Sequence, residues 1–197
     1  MATNRRILLS EIPTGKLTEE HFTQDEVELT SPGDGEVLVR TLILSQDAAN
    51  RAWMQGATYR SALSSGQVMS SGGIAEVVES NVDRFKVGQI VSGDLGWQEY
   101  AVIPGHQLTP VKDQDGPLSH SLSLLGVAGL TAYHGLINVP GIHAGEVLLV
   151  SAAGGSVGSI VGQIGRIKGA TVIGIAGGTE KCQWVVDELG FDACIDY

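Results

Sequence analysis

The sequence predicts an N-terminal β-rich domain, residues 1–126, followed by the first half of a doubly wound α/β domain, residues 127–197. Two observations lead to this fold class. Before residue 103, short alternating segments follow one another closely and are separated by glycine-containing turns, which is typical of a small β-barrel or sandwich. After residue 146, an apolar run, a glycine-rich turn and a segment of helical period come in that order, and a second apolar run follows.

In the N-terminal domain, apolar alternation bounded by turn residues predicts the strands. They lie at residues 6–10, 27–30, 36–44, 73–79, 88–93 and 97–102. The third of these is long enough to bend. A short helix is predicted at residues 48–54, and the small and polar residues 59–71 predict a loop over a surface or pocket.

A helical register then runs from residue 121 to residue 138, where Pro140-Gly141 ends it. Its apolar residues are Leu122, Leu125, Leu130, Tyr133 and Leu136. This segment predicts a helix that leads into the second domain.

The most informative motif lies between a strand and a helix. Residues 147–150 form a buried apolar run, and apolar residues recur at helical spacing from Val157 onward. The turn between them matches the dinucleotide fingerprint G-x-G-x-x-G, except that Ala153 stands at the first glycine. Gly155 would let the backbone approach a pyrophosphate, and Gly158 would let the helix pack closely on the strand. The helix N-terminus would attract the phosphates.

The residues at the end of the second apolar run, residues 170–176, indicate whether the cofactor is NAD or NADP. In an NAD-binding unit, an Asp or Glu near this point holds the ribose 2′-hydroxyl. The place is taken by Ala176-Gly177-Gly178, and Lys181 follows in the next helical turn. A lysine is unfavourable at the positive end of a helix unless an anion binds there, so the pattern favours NADP. The alternative is that Lys181 is a solvated lysine at a helix start.

Composition and charge disfavour several classes of function. The chain has 197 residues, of which 12 are basic and 22 acidic, and its formal net charge is −10, which disfavours nucleic acid as a partner. No stretch has the length of a membrane span or the features of a secretory signal, so a soluble cytoplasmic protein without membrane contact is expected. Cys182 and Cys194 form no metal-type cluster, and Cys182 shares an apolar helical face with Val185 and Leu189.

Two kinds of catalytic site are also disfavoured. A catalytic zinc site needs three protein ligands, but no cysteine precedes residue 182 and the five histidines show no paired ligand spacing. Gly154-Gly155-Ser156-Val157-Gly158 matches the nucleophile elbow G-x-S-x-G. That elbow needs a later histidine, and none follows His143. We therefore predict no metal site, and a turn that binds phosphate.

Several segments together resemble one known family. Residues 71–80 (SGGIAEVVES), 97–100 (WQEY), 129–133 (GLTAY), 152–158 (AAGGSVG) and 190–197 (GFDACIDY) occur in the order seen in medium-chain dehydrogenases/reductases. The chain is most similar to the zinc-independent branch of prostaglandin reductases, leukotriene hydroxydehydrogenases and curcumin reductases. This resemblance implies a GroES-like β-barrel domain followed by a Rossmann domain that is incomplete within these residues.

The same resemblance implies a cofactor, NADP(H), and a set of contacts with it. Tyr197 matches a tyrosine that lies at the 2′-phosphate beside the lysine, and Thr131 would lie close to the nicotinamide. The other residues that match NADP(H)-contacting positions are Gly155, Ser156, Val157 and Lys181.

The activity that the resemblance implies is NADPH-dependent reduction of the carbon–carbon double bond of a small enone or enal. Quinone reduction, as in a sister branch, and a non-catalytic NADPH-binding module are the alternatives. The substrate would lie against Ser45, Asp47, Arg51 and Tyr59, although each of these is equally well explained as scaffold or loop surface. No residue is identified as the proton donor.

Two features depart from the family pattern. The branch has Asp-Pro-x-Met-Arg where this chain has Asp47-Ala48-Ala49-Asn50-Arg51, which bears on substrate identity rather than on reaction class. The sequence also stops at the third of about six expected strands. We therefore expect an incomplete fragment that binds 2′-phospho-ADP weakly and has little or no turnover, and whose strand edges favour association. A full-length form is expected to be a homodimer.

Overall fold

The computed structural model describes residues 2–112 and 116–197, which form two compact units, Met1–Ser119 and His120–Tyr197. The second unit begins a few residues before the predicted boundary near Gly126. The first unit contains antiparallel sheets and the second contains a parallel sheet with helices. The predicted fold class, a β domain followed by an α/β domain, is confirmed.

The first unit is built from two antiparallel sheets. One pairs β1 (Thr3–Leu9) with β2 (Phe22–Glu28). The strands of the other are β3 (Glu36–Leu44), β4 (Gly72–Ser80), β5 (Ile90–Asp94), β6 (Tyr100–Pro104) and β7 (Thr109–Pro110). Within this sheet the strand order is β6-β3-β4-β5-β7.

The interior strand β3, which lies between β6 and β4, supplies part of the core of the first unit. Val37 and Val39 are fully buried and pack in one cluster with Phe85. The register between β3 and β4 shifts at two places along the strand. Register shifts of this kind are typical of β-bulges, and bulges bend a strand; the bend of this segment stays a prediction.

The predicted start of β2 is wrong. We predicted a strand from residue 27, whereas β2 begins at Phe22. Residues 23–26 are polar and lack apolar alternation, but they pair with β1, and Asp25 accepts hydrogen bonds from Arg6 opposite it. Cross-strand pairing therefore decides the boundary. β5 and β6 begin later than predicted, at Ile90 and Tyr100: a turn precedes β5, and before β6 the chain bends around an isolated bridge between Gln98 and Arg6.

Helix α1 (Ala48–Gln55) confirms the short helix predicted here. Asp47 precedes it, and the Asp47 backbone N–H donates to Oδ1 of Asn50 at 2.6 Å, so the first turn is capped by its own residues. Trp53 and Met54 are buried and pack with Leu9 in a second cluster.

The second unit alternates strands and helices. In chain order these are β8 (Val147–Ser151), α3 (Ser156–Ile167), β9 (Thr171–Ala176), α4 (Thr179–Asp187) and β10 (Ala193–Asp196). The strands are parallel and lie in the order β10-β9-β8. The carboxyl ends of all three therefore lie at one edge of the sheet, where ligands bind in open α/β folds.

The core of this unit lies between the sheet and its helices. Val172, Val185 and Phe191 are buried there. Gly162 of α3 faces the Phe191 ring so closely that a Cβ atom on Gly162 would lie 1.8 Å from Cζ of that ring. The glycine is what lets α3 pack against this aromatic side chain.

The helix predicted over residues 121–138 is shorter than expected. Leu118–Ser121 is a 3-10 helix, a turn follows, and α2 covers Val127–Tyr133 before a π-helical segment, His134–Asn138. The chain folds back before α2, and the backbone N–H of Gly129 donates to the carbonyl of Ser123 at 3.0 Å. A Cβ atom on Gly129 would lie 1.7 Å from the Leu124 carbonyl oxygen, so this close approach requires glycine.

The face that α2 buries also differs from the prediction. Leu125, just before α2, and Leu130 within it are 61% and 58% exposed. The buried residues are Ala128 and Ala132, which pack on Ile160 of α3. Small side chains allow the two helices to approach closely, and a pattern of large apolar residues cannot reveal such a contact.

Candidate functional site

The turn between β8 and α3 has a specific backbone conformation. Ala152 has φ +50°, which an L-residue with a Cβ adopts only at a cost. The Ala152 carbonyl accepts a hydrogen bond from the Gly155 N–H at 2.8 Å, and Gly155 is the N-cap of α3. The turn is therefore closed on itself directly before the helix.

Gly158 lies in the first turn of α3, against the same carbonyl. A Cβ atom on Gly158 would be 2.3 Å from the Ala152 oxygen, and one on Gly155 would be 3.0 Å from it. Real Cβ atoms do not approach an oxygen at the first of these distances. A side chain at Gly158 would thus force α3 away from the turn.

Ala153 occupies the place of the first fingerprint glycine without strain of its own. It is fully buried, and its N–H donates to the Ile175 carbonyl at 3.0 Å, which joins the turn to β9. Its Cβ lies 2.8 Å from where a Cβ on Gly174 would be. The small methyl group therefore fits against a glycine of β9, and the left-handed conformation falls on Ala152 instead.

The N-terminus of α3 can accept an anion. The helix has 12 residues and no acidic residue in its first turn. The first N–H groups of a helix have no intrahelical partner, and the helix dipole is positive at this end. Gly155, Ser156 and Val157 place their backbone at this end.

Lys181, in the first turn of α4, lies across the glycine turn. A Cβ atom on Gly154 would be 3.0 Å from both Cγ and Cδ of Lys181 and 3.7 Å from Cζ3 of Trp184. The aliphatic stem of the lysine therefore rests on the bare backbone of Gly154, with the indole beside it. This packing holds the Lys181 cation next to the turn that leads into α3.

The loop after β9 is held by the end of β10. Tyr197, whose side chain is exposed, lies over Gly177: a Cβ atom there would be 3.5 Å from Cζ of the tyrosine ring. The Gly178 N–H donates to Oδ1 of Asp196 at 2.7 Å, and the Thr179 hydroxyl donates to Oδ2 at 3.1 Å. Tyr197 thus lies over the loop that leads into α4, the helix that carries Lys181.

The structure places Thr131 in the same unit, on α2. Its hydroxyl donates to the Val127 carbonyl within the helix at 2.7 Å. The contact between α2 and α3 brings the helix that carries Thr131 alongside the helix that follows the glycine turn. A role for Thr131 at the nicotinamide stays a prediction.

The proposed substrate residues lie in the first unit and have structural contacts of their own. The Ser45 hydroxyl donates to Oδ2 of Asp47 at 2.6 Å, and Asp47 precedes α1. Arg51 donates to the carbonyl of Gly15 at 2.9 Å and to that of Pro13 at 3.2 Å. Tyr59 is 82% exposed and meets Trp53 edge-on, with 6.0 Å between ring centroids. These contacts position α1 and its surroundings, and a substrate role stays a prediction.

The two cysteines belong to the core of the second unit. Cys182 is buried, as predicted, and its thiol contacts the Ala176 carbonyl at 3.4 Å. Burial is the main cause that raises the pKa of the Cys194 thiol to about 11, so Cys194 is a poor nucleophile at neutral pH. Within residues 2–112 and 116–197, no group of three or more His, Cys, Asp or Glu is placed to hold a metal ion.

None of the helices formed by the described residues combines the length and apolar character needed to cross a bilayer.

Sequence reasoning missed three residues around the turn. Ala152 gives no signal in the sequence, because its φ depends on how the turn is closed. Trp184 could have been found, since it lies one helical turn after Lys181 and so shares its face. Asp196 could also have been found, because it is a polar residue at the carboxyl end of a predicted parallel strand.

Comparison with known proteins identifies the family of the chain. Residues 5–111 match the model of a protein family described as the N-terminal domain of oxidoreductase. The chain belongs to this oxidoreductase family. The resemblance to the zinc-independent medium-chain dehydrogenase/reductase branch that the motifs indicated is confirmed.

Two proteins with related sequences are named as reductases. The chain is 42% identical over 195 residues to the NADPH-dependent curcumin reductase of Escherichia coli (strain K12). This alignment covers 98% of this chain and 56% of that protein. The chain is 40% identical over 186 residues to prostaglandin reductase 1 of Bos taurus, covering 93% of this chain and 54% of that protein. The chain therefore spans about half the length of these relatives.

A solved structure supports the fold of both units. The crystal structure of CurA in complex with NADPH from Vibrio vulnificus matches with a TM-score of 0.90 and 41% identity, covering 98% of this chain and 58% of that one.

Proposed function

We propose that the second unit binds the adenosine-phosphate half of NADP(H). The observation that carries the proposal is the Lys181 stem packed on Gly154, which holds a cation beside the phosphate-type turn. The loop after β9 is Ala176-Gly177-Gly178, so its own residues offer no carboxylate to a ribose 2′-hydroxyl. A cation in this place suits a 2′-phosphate. The NADPH-dependent relative and the NADPH complex of CurA support the same cofactor.

Each residue of the turn has a proposed part in holding the cofactor. The backbone of Gly155, Ser156 and Val157 at the start of α3 would bind the pyrophosphate. Ala153 and Gly158 would shape the turn by close packing. The residues proposed at the 2′-phosphate are Lys181 and Tyr197, and Thr131 is proposed at the nicotinamide.

We propose further that the whole protein is an enzyme that reduces the carbon–carbon double bond of an enone or enal. NADPH, when bound, supplies the hydride, and the protein orients the cofactor and excludes water. The names of the curcumin and prostaglandin reductases support this reaction class. Ser45, Asp47, Arg51 and Tyr59 are proposed to border the substrate. A cytoplasmic location and a homodimeric full-length form stay predictions.

The cofactor assignment is tested by replacing the cation. Lys181→Ala should weaken NADPH binding by about tenfold or more, because it removes a charge-assisted contact with phosphate, and should leave NADH binding nearly unchanged. Calorimetric titration of both nucleotides measures this. Lys168→Ala is the matched control, since Lys168 is an exposed lysine at the C-terminal end of α3. Equal losses for the two nucleotides would refute the role of Lys181.

The reaction is tested on the protein purified from its native source. Absorbance of NADPH should fall when an enone or enal is added. Oxidation with quinones alone would favour the quinone reductase alternative, and nucleotide binding without oxidation by any acceptor would favour a non-catalytic module.

A further inference from the structure

Asp196 ties the end of β10 to the start of α4. Its carboxylate accepts a hydrogen bond from the Gly178 N–H at 2.7 Å and another from the Thr179 hydroxyl at 3.1 Å. Gly178 has φ +92° and is the N-cap of α4. The carboxylate therefore secures the residue at which the chain leaves β9 and turns into the helix.

This contact occupies donors that an anion could otherwise use. The Gly178 N–H and the Thr179 hydroxyl lie at the positive end of α4, three and two residues before Lys181. Since both already donate to Asp196, a phosphate beside this loop would be bound by the Lys181 side chain rather than by these two groups. Asp196 thus leaves recognition of the anion to a side chain that rests on the neighbouring turn.

The same residue also places the tyrosine. Tyr197 follows Asp196 directly, and its ring lies over Gly177. The backbone of Asp196 pairs with Ala176 at the last position of β9. One residue therefore sets the positions of the Gly177-Gly178 loop, of the α4 start and of Tyr197.

We propose that Asp196 is a positioning residue that determines the preference of this site for a nucleotide with a 2′-phosphate. The inference rests on the proposed NADP(H) function. Asp196 acts through Lys181 and Tyr197, because it holds the start of α4, which carries Lys181, and directly precedes Tyr197.

Two effects of Asp196 oppose each other, and a pair of substitutions separates them. Its negative charge repels a phosphate, whereas its hydrogen bonds organise the loop. Asp196→Asn removes the charge and keeps an oxygen that accepts from the Gly178 N–H, while its amide NH2 group donates to the Thr179 hydroxyl oxygen. Asp196→Ala removes the charge and both hydrogen bonds.

The experiment titrates the wild-type protein and both variants with 2′,5′-ADP and with 5′-AMP, which lacks the 2′-phosphate. Asp196→Ala should weaken 2′,5′-ADP binding by about fivefold or more and change 5′-AMP binding by less than about twofold. Asp196→Asn should restore 2′,5′-ADP binding to the wild-type level or above it. Thr179→Val removes one of the two hydrogen bonds and should weaken 2′,5′-ADP binding by less than Asp196→Ala does. It replaces Asp196→Ala in the test if that variant does not fold.

Two results would overturn the inference. If folded Asp196→Ala and Thr179→Val bind 2′,5′-ADP as tightly as the wild type does, the hydrogen bonds to Asp196 are not needed for recognition of the 2′-phosphate. A loss of 5′-AMP binding in both Asp196 variants would show that the carboxylate receives a ribose hydroxyl instead. If the wild-type protein binds neither nucleotide, the proposed function itself fails, which is a distinct outcome.

Discussion

Ala152 and Ala153 are adjacent residues of one type with opposite conformational requirements. Ala152 has φ +50°, whereas Ala153 is buried in the core and bonded to β9. The fingerprint glycine that this chain lacks would stand at Ala153, yet the left-handed backbone occurs one residue earlier. The substitution of a fingerprint glycine by alanine therefore does not by itself disrupt the turn.

This assignment predicts opposite effects of glycine at the two positions. Ala152→Gly should leave the free energy of unfolding unchanged or raise it by up to about 1 kcal/mol, because relief of the left-handed strain exceeds or offsets the entropy of glycine. Ala153→Gly should lower it by about 1 kcal/mol, since a buried methyl group is lost. Urea unfolding measures both, and destabilisation by Ala152→Gly that equals that of Ala153→Gly would contradict the strain.

Gly162 and Gly135 give a second pair. A Cβ atom on Gly162 would overlap the buried Phe191 ring, whereas one on Gly135 meets nothing within 4 Å. Gly162→Ala should lower the free energy of unfolding by about 1–3 kcal/mol through overpacking. Gly135→Ala should raise it by about 0.5–1 kcal/mol, because alanine is the better helix former. Thermal unfolding measures the difference, and similar melting temperatures for the two variants would count against the packing of α3 on Phe191.

The two ends of α3 have different parts. Its N-terminus lies at the proposed cofactor site, and its C-terminal end makes contacts that stabilise the second unit. Near that second end, Arg166 forms an ion pair with Asp192, and Oδ2 of Asp192 accepts from the Val172 N–H at 2.7 Å. The Val172 N–H is the main cause that lowers the pKa of Asp192 below its usual value, and Arg166 adds to it. The carboxylate thus connects the end of α3 to the start of β9.

The lowered pKa predicts how stability depends on pH. Asp192 stabilises the folded state above its unfolded-state pKa of about 3.9, and this contribution is lost as pH falls through the lower folded-state pKa. Asp192→Asn should therefore make the decline of stability below about pH 4 shallower. Arg166→Ala should decline in stability more steeply below about pH 4 than Asp192→Asn does, because the hydrogen bond from the Val172 N–H to the Asp192 carboxylate remains. Urea unfolding from pH 6 to pH 3 checks this, and an unchanged acid limb in Asp192→Asn would contradict it.

At the level of the whole second unit, one face of the parallel sheet is covered by helices and the other is open. Leu148 and Val172 face the helices, as their close approach to Gly165 of α3 shows. On the opposite face, Val147 and Leu149 of β8 are 67% and 58% exposed, and Ile195 of β10 is 51% exposed. Contiguous exposed apolar surface of this kind favours association.

We expect the 197-residue chain to self-associate through this open face. Leu149→Lys should reduce association at a given concentration, because it places a charge on this apolar surface. Ile167→Lys is the matched control, since Ile167 is 82% exposed but lies at the end of α3, on the covered side of the sheet. Sedimentation velocity distinguishes the variants, and equal association of the two would exclude this face.

The order and type of most elements could be predicted because they follow from local patterns. The long β3 follows a turn cluster, and α1 and the β8-turn-α3 unit each have an apolar or glycine signal within a few residues. The start of β2 and the buried face of α2 could not be predicted. β2 owes its polar residues to pairing with β1, and α2 buries Ala128 and Ala132 rather than its leucines.

The sequence by itself determined the element order, the glycine turn, the oxidoreductase family and the place of Lys181 after a strand end without its own carboxylate. Only the tertiary structure decided that Ala152 carries the left-handed backbone, that the Lys181 stem rests on Gly154 and that Asp196 holds the Gly178 loop. The physical reason is the separation along the chain of the residues that interact. Periodicity and turn chemistry act between near neighbours in the chain, whereas these contacts join residues that only the packing of separate strands and helices brings together.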